Sequence, residues 1–368
     1  MISRGSAGKV TGGGEAGQGD VVRRRVLMVG PALFRIDHSL RAVIWVVTVV
    51  CSAATLCADD PPAPLPKVVL EWGHKGEGPG EFHSPVCVAI NGRNELAVAD
   101  LNNSRIQRFD ANGRFLSAFD LPLDKEPRKS CIVGGLAYTC DGRLLVAFMV
   151  QHRVAAYSPE GKVLTDWGKK GTGDGEFNQP GGIVVRGEGE ILVADQCNHR
   201  VQIFSPKGEY RGQWGSHGSD PGQFGGTEKA GSRFGGPHFL GEDADGRLYT
   251  TEGGPGRIQQ FSTDGRSLAA WGSKTVEPGA FGEFQFGTQP GTFGPIGLLV
   301  DRRGRVWVSS LNDRVQCFTA DGRFLFRLDG TDEEHPFLHP HGMAEDRDGF
   351  VYILDSGNQR VVKVDPRP

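Results

Sequence analysis

This chain predicts an all-β fold, a six-bladed β-propeller, on three observations. Apolar and polar residues alternate in short runs between Gly, Pro, Asn and Asp turns, and no window beyond the N-terminal region carries a 3.6-residue stripe. A unit recurs six times, marked by an Arg followed by Ile or Val: Arg105, Arg153, Arg200, Arg257, Arg314 and Arg360, at spacings of 48, 47, 57, 57 and 46. Four-stranded units at this period build propellers or solenoids. The sixth unit ends at RVVKVDPRP without a fourth strand, and a strand of the matching pattern, KVVLEWG at 67–73, stands at the other end. A ring must join its first and last blades because open sheet edges are a liability. The 67–73 strand is therefore expected to complete the last blade.

The clearest unit runs over 177–215, FNQPGGIVVRGEGEILVADQCNHRVQIFSPKGEYRGQWG. PGGIVVRG is short and small-sided, as suits a strand crowded at the centre of a ring. A turn at 187–189 leads to EILVAD, the loop QCNH leads to RVQIFS, and a turn at 206–208 leads to EYRGQWG. The other units repeat this order with two departures. Unit two reads FMVQHRVAAY and has Val133 where others have Pro, and unit four reads TEGGPGRIQQF.

The segments ADLNNSRIQRF, ADQCNHRVQIF and LDSGNQRVVKV, with LNDRVQCF as a shorter variant, lie between a Pro-led inner strand (Pro85, Pro180, Pro237, Pro295, Pro340) and a WG-type ending. They resemble the NHL repeat family, and the resemblance covers roughly 66–366. It implies the six-bladed ring. Asp100, Asp195 and Asp355, with Asn103, Asn198, Asn358 and the repeat Arg, recur from blade to blade. Recurrence points to a structural part, since the Asp and Asn cap loop N–H groups and the Arg can pair with the Asp. Relatives that carry a zinc-binding ubiquitin-ligase module do so before the propeller, and this chain has no ligands for one.

Ahead of the repeats, residues 1–27 are Gly-rich and basic, so translation starts either at Met1 or at Met28. Arg35 and Arg41 precede an apolar run at 42–50 and small residues at 51–58. This order predicts a signal peptide within 1–58, and hence an exported protein in the periplasm, cell envelope or medium. The other reading is an uncleaved membrane anchor, at the short limit for a span. Residues 59–66 form a stiff Pro-rich linker, and 67–368 the propeller. Residues 59–368 hold 34 Lys and Arg against 41 Asp and Glu, a net charge of −7. That balance argues against nucleic acid, which needs a basic footprint. Five cysteines remain outside the leader (Cys87, Cys131, Cys140, Cys197 and Cys317), without CxxC or zinc spacing. They read as small buried side chains, and the spacing leaves a Cys131–Cys140 bridge open. The chain is expected to be monomeric.

One face of the ring should carry tight turns such as Asp141-Gly142, Asp245-Gly246 and Asp321-Gly322. The other face carries the blade-to-blade loops. Most of these read WGxxGxGxGxF, but the loops from Gly215 to Pro237 and from Gly272 to Pro295 are longer, at 22 and 23 positions. Long loops without secondary structure are more often functional. A ligand face is therefore expected beside blades 3 to 5, with Phe224, Phe234, Phe281, Phe284 and Phe286 as its aromatic residues. The last Phe of each loop is expected to plug the gap between blades. The ligand class is a protein, a peptide or a glycan.

The residue after the inner-strand Pro should lie near the channel mouth. It is Val86, Gly134, Gly181, His238, Ile296 and His341 in turn. His is the commonest metal ligand, and three His with an open position make a Lewis-acid zinc. Pro237-His238 and Pro340-His341 resemble the zinc-holding Pro-His residues on alternate blades of the lyase that cleaves peptidyl-α-hydroxyglycine to an amidated peptide. That resemblance implies Zn²⁺ on His238 and His341 and a metal-dependent lyase or hydrolase as the alternative function. The third position falls on Gly134, and His339 is the nearest substitute. Glu242 and Glu345 would suit Ca²⁺ in the channel. The catalytic residues of such an enzyme remain unknown.

Overall fold

The computed structural model describes residues 64–122, 131–226, 235–275, 277–282 and 294–367. The expected leader and most of the linker lie outside these residues, as do Phe234, Phe284 and Phe286. All described residues belong to the second of two units of the chain, Asp59–Pro368. They form six antiparallel four-stranded sheets. Blade 3 is typical, with strands Pro180–Arg186, Glu190–Asp195, Arg200–Phe204 and Tyr210–Trp214 from axis to rim. In the last blade Pro340–Glu345, Val351–Asp355 and Arg360–Asp365 are joined on the outside by Lys67–Trp72. Leu70 pairs with Lys363 and Trp72 with Val361, so the ring closes as the repeat offset predicts. Among the described residues no helix is long and apolar enough to cross a membrane.

Crowding at the axis explains the small inner strands. The blade 4 inner strand Leu240–Glu242 pairs regularly, and the other five of the six inner strands have an irregular register just after the first residue, as between Pro180 and Ile183. There the backbones of neighbouring blades touch. Gly182 N donates to the His238 carbonyl at 2.7 Å. A Cβ on Gly182 would lie 2.6 Å from Leu240 N and 2.8 Å from Phe239 Cα. Later blades are joined by hydroxyls: Thr251 Oγ1 donates to Ile296 O at 2.8 Å, Ser309 to His341 O, and Ser356 to Pro85 O. The last of these closes blade 6 on blade 1.

The WG ending and the loop Phe pack the blades together. Trp167, at the rim of blade 2, lies 5.9 Å from the Phe204 ring of blade 3, and Phe177 lies 5.5 Å from the same ring. Trp214 with Phe224 on Phe261, and Trp271 with Phe281 on Phe318, repeat the arrangement. Gly215 needs its φ of +95°, and a Cβ there would sit 2.4 Å from the Phe224 ring. The first Phe of each long loop, Phe224 and Phe281, is therefore a plug between blades; the last, Phe234 and Phe293, lie outside the described residues. The first Phe is the residue that closes the WGxxGxGxGxF register. Cys131 is buried, Cys140 is exposed, and the two are not bridged.

Candidate functional site

The repeat Arg fastens the loop face. In blade 3 Asp195 is fully buried. Its Oδ2 accepts from Arg200 Nε at 2.8 Å, Asn198 at 2.8 Å and Gln202 at 3.0 Å, and its Oδ1 accepts from Asn178 N at 2.7 Å. Arg200 then donates to the carbonyls of Gly173 and Glu176, at 2.8 and 2.9 Å, in the loop arriving from blade 2. Blade 1 repeats this with Asp100 and Arg105, and blade 6 with Asp355 and Arg360. Asp is thus a clamp on its own loop, as its recurrence suggested. Burial pushes the Asp195 carboxyl up, against the pull of its donors.

The departures have local answers. In blade 4 Glu252 replaces Asp, and its longer side chain still reaches Arg257 at 2.8 Å and accepts from Gly225 N at 2.7 Å. In blade 2 Phe148 takes the position, Arg153 lies 4.6 Å over its ring, and Asp166 on the fourth strand supplies the charge at 2.8 Å. The residue before the Arg has positive φ in every blade: Ser104, His152, His199, Asp313 and Gln359, with Gly256 in blade 4. The Gly in TEGGPGRIQQF meets that need.

Phe224 and Phe281, two of the five expected ligand-face residues, are fully buried. Their rings belong to the packing between blades and present no surface to a ligand. What distinguishes the two long loops begins after these plugs, at Gly225 and Gly282. Beside the first long loop, His199 is buried and its ring meets His217 edge-on at 4.6 Å. Burial, and then the His217 charge, push the His199 imidazole down to about 4. Sequence reasoning did not single out this pair. The His at the left-handed position was no signal by itself, since blade 2 carries His152 there too.

At the channel mouth the two expected metal ligands have other partners. His238 is buried, its Nδ1 lies 2.8 Å from Gln196 Nε2, and its ring stacks on Phe239 at 5.2 Å. The same Phe239 ring meets His341 edge-on at 6.0 Å. The Val86 carbonyl accepts a hydrogen bond from the His341 ring, and burial pushes that imidazole down to about 4. His341 Nδ1 is buried with no partner. His339 is turned to blade 5, where its N–H donates to Asp313 Oδ1 at 2.7 Å. Among the described residues no three His, Cys, Asp or Glu side chains group closely enough to hold a metal ion. The pair with Phe239 against both rings does not fit a three-His zinc centre. Glu242 and Glu345 end their strands at the tight-turn face, and Glu345 accepts there from Arg302 N at 2.8 Å. They stand about 13 Å along the strand from the histidines, which removes them from a calcium site beside the imidazoles.

Comparison with known proteins identifies the repeat. The NHL repeat model matches residues 82–109, 177–204 and 337–364. The chain is a six-bladed propeller of NHL type. Each match runs from the loop Phe to the end of the third strand, the stretch held by the Asp–Arg clamp. The propeller is similar to the B-box type zinc finger protein ncl-1 of Caenorhabditis elegans, 49% identical over 45 residues, which are 12% of this chain and 5% of that protein. It is also similar to protein brain tumor of Drosophila melanogaster, 47% identical over 49 residues, 13% of this chain and 5% of that protein. The chain therefore spans a small fraction of the length of these curated relatives. Among solved structures it resembles a streptogramin B lyase, with a TM-score of 0.52, 14% identity, and coverage of 80% of this chain and 96% of that one. A protein of unknown function from Bacteroides thetaiotaomicron superposes with a TM-score of 0.58 at 17% identity, over 82% of this chain and 76% of that one. At such identities the likeness shows the fold alone.

Proposed function

We propose that this chain is an exported, non-catalytic binding propeller. Its loop face beside blades 3 to 5 takes a protein, peptide or glycan. The observation that carries this reading is the extension of two neighbouring loops beyond their plugs. The loops that end on Phe82 and Phe177 run straight into the inner strand, at Pro85 and Pro180. The loops with Phe224 and Phe281 continue to Pro237 and Pro295, although the plug already completes the packing. Export rests on the charge and apolar pattern of residues 1–58.

The enzyme reading, a metal-dependent lyase or hydrolase, has one observation in its favour. His341 keeps an unpartnered buried Nδ1 at the channel mouth. Against it stand the missing third ligand and the packing of Phe239 on both rings. A catalytically inactive H270A form of the virginiamycin B lyase from Staphylococcus aureus has been solved with quinupristin. That His belongs to the lyase, and 14% identity does not carry its role to this chain.

The test is a peptide and glycan array probed with the whole chain. A variant with residues 227–234 and 283–293 replaced by Gly-Ser segments of equal length is probed beside it. The expected result is a set of binders lost in the variant while its melting temperature is unchanged. Binders retained in full by the variant would overturn the reading.

A further inference from the structure

Five of the six repeat Arg residues meet a carboxylate: Arg105 on Asp100, Arg153 on Asp166, Arg200 on Asp195, Arg257 on Glu252 and Arg360 on Asp355. Among the described residues Arg314 of blade 5 does not. The residue in register with it is Ser310, where other blades carry Asp, Glu or, in blade 2, Phe148. Ser310 is fully buried and its Oγ has no hydrogen-bond partner. Arg314 Nε, which donates to the acid in blades 1, 3, 4 and 6, is also buried without a partner, as is Asn312 Oδ1.

The outer side of Arg314 has changed in the same sense. In blades 2 and 6 the fourth strand offers the repeat Arg an acid, Asp166 at 2.8 Å and Glu71 at 2.6 Å, and in blade 3 it offers Gln213 at 2.6 Å. In blade 5 the matching residue, opposite Gln316, is Arg327. Its side chain is 46% exposed and pairs with Asp329 at 2.9 Å. Blade 5 thus has lost its buried acid and gained a second cation. Burial and then Arg327 disfavour the charge on Arg314, and Asp329 supports it. Arg314 is held in place by the Ala280 carbonyl at 3.1 Å, and among the described residues nothing accepts from its Nη1.

We propose that blade 5 is the carboxylate subsite of the loop face, where an Asp or Glu side chain of a partner peptide is received between Arg314 and Arg327. The blades themselves show the chemistry, since four equivalent Arg residues hold Asp or Glu side chains of this chain in the same frame. Paired guanidinium groups suit a carboxylate by charge-assisted hydrogen bonds. The subsite adjoins the longer loop of blade 5. A Cβ on Gly282, where that loop departs from its plug, would lie 2.9 Å from Asn312 Nδ2 and 3.2 Å from Arg314 Nη2. The inference deepens the proposed function and rests on it.

The probe is a fluorescein-labelled peptide of alternating Glu and Gly, titrated into the whole chain by anisotropy at low and at physiological salt. A Gln-Gly peptide and labelled oligogalacturonate run in parallel. The Glu peptide should bind, weaken with salt, and lose at least about tenfold in affinity in Ser310→Asp and in Arg314→Gln. Ser310→Asp should also raise the melting temperature, because it restores the internal acid. That variant guards against a misfolded Arg314→Gln. Equal binding of the Glu peptide by wild type and Ser310→Asp overturns the proposal. So does no binding at all, or binding of oligogalacturonate in place of the peptide. A fall in melting temperature in Glu283→Gln equal to that in Arg314→Gln would give the carboxylate to the chain itself and overturn it as well. In each of these cases, array binders lost on loop replacement would leave the loop-face reading standing.

Discussion

Replacing Asp195 with Ala should destabilise the protein by about 3 to 5 kcal/mol, the range for removing one partner of a buried ion pair. Asp195 is fully buried and accepts four hydrogen bonds, from Asn178 N, Asn198, Arg200 and Gln202. Removing it leaves the Arg200 charge with only neutral acceptors: Gly173 O, Glu176 O and Gln213. It also orphans Asn178 N, a further cost of about 1 to 3 kcal/mol if water does not reach it. The carbonyls that remain on Arg200 place the expectation at the lower end of the first range. The assay is reversible urea unfolding followed by tryptophan fluorescence, with Trp167 and Trp214 flanking the blade. An Asp195→Leu/Arg200→Leu pair should lose less than Asp195→Leu alone, because no charge is then left buried. A loss below about 1 kcal/mol for Asp195→Ala, or a double variant as damaged as the sum of its singles, would refute the clamp.

Three further outcomes follow from the same packing. Phe177→Ala should cost about 3 to 5 kcal/mol, since the ring is fully buried against Phe204, and a shift in urea midpoint will read it. Deleting residues 64–73 should open the last blade and bare the Arg360–Asp365 strand. Faster amide exchange over 360–365, with association on size exclusion, is expected, and wild-type exchange there would contradict closure. His341 is held neutral to about 4 while an unfolded His titrates near 6.5. Above 6.5 neither state binds the proton. Between 6.5 and 4 the unfolded chain does and the folded chain does not, so stability falls as pH falls through that window, by about 3 kcal/mol in all. His341→Gln should flatten the slope of urea midpoint against pH in that window, and an unchanged slope would argue against a buried neutral ring.

The ring was legible because the repeat states it many times. Six Arg anchors, Pro-led inner strands and a fourth strand displaced to the N-terminus leave one closed topology, and the strand Lys67–Trp72 takes the place this requires. The order of the loop Phe residues was harder to read. Sequence gives two Phe in 216–236, and only the packing on Phe261 shows that Phe224 is a plug. The arrangement of the histidines was not legible for a physical reason. A residue that follows the Pro does lie at the channel mouth, but whether two imidazoles meet depends on the side chain between them, here Phe239. Blade 5 was hidden in a different way. LNDRVQCF resembles the other repeats closely, and the loss of its acid becomes visible only when Ser310 stands in register with Arg314 and Arg327 lies beside them.

The channel histidines pack on Phe239, and the proposed working surface is the loop face. Zinc content of the purified chain, measured by mass spectrometry beside a His238→Ala/His341→Ala variant with an intact fold, tests this most directly. The expected result is far less than one zinc per chain in both proteins, with no difference between them. About one zinc per chain, absent from the variant, would contradict it and return the channel mouth to the centre of the chemistry.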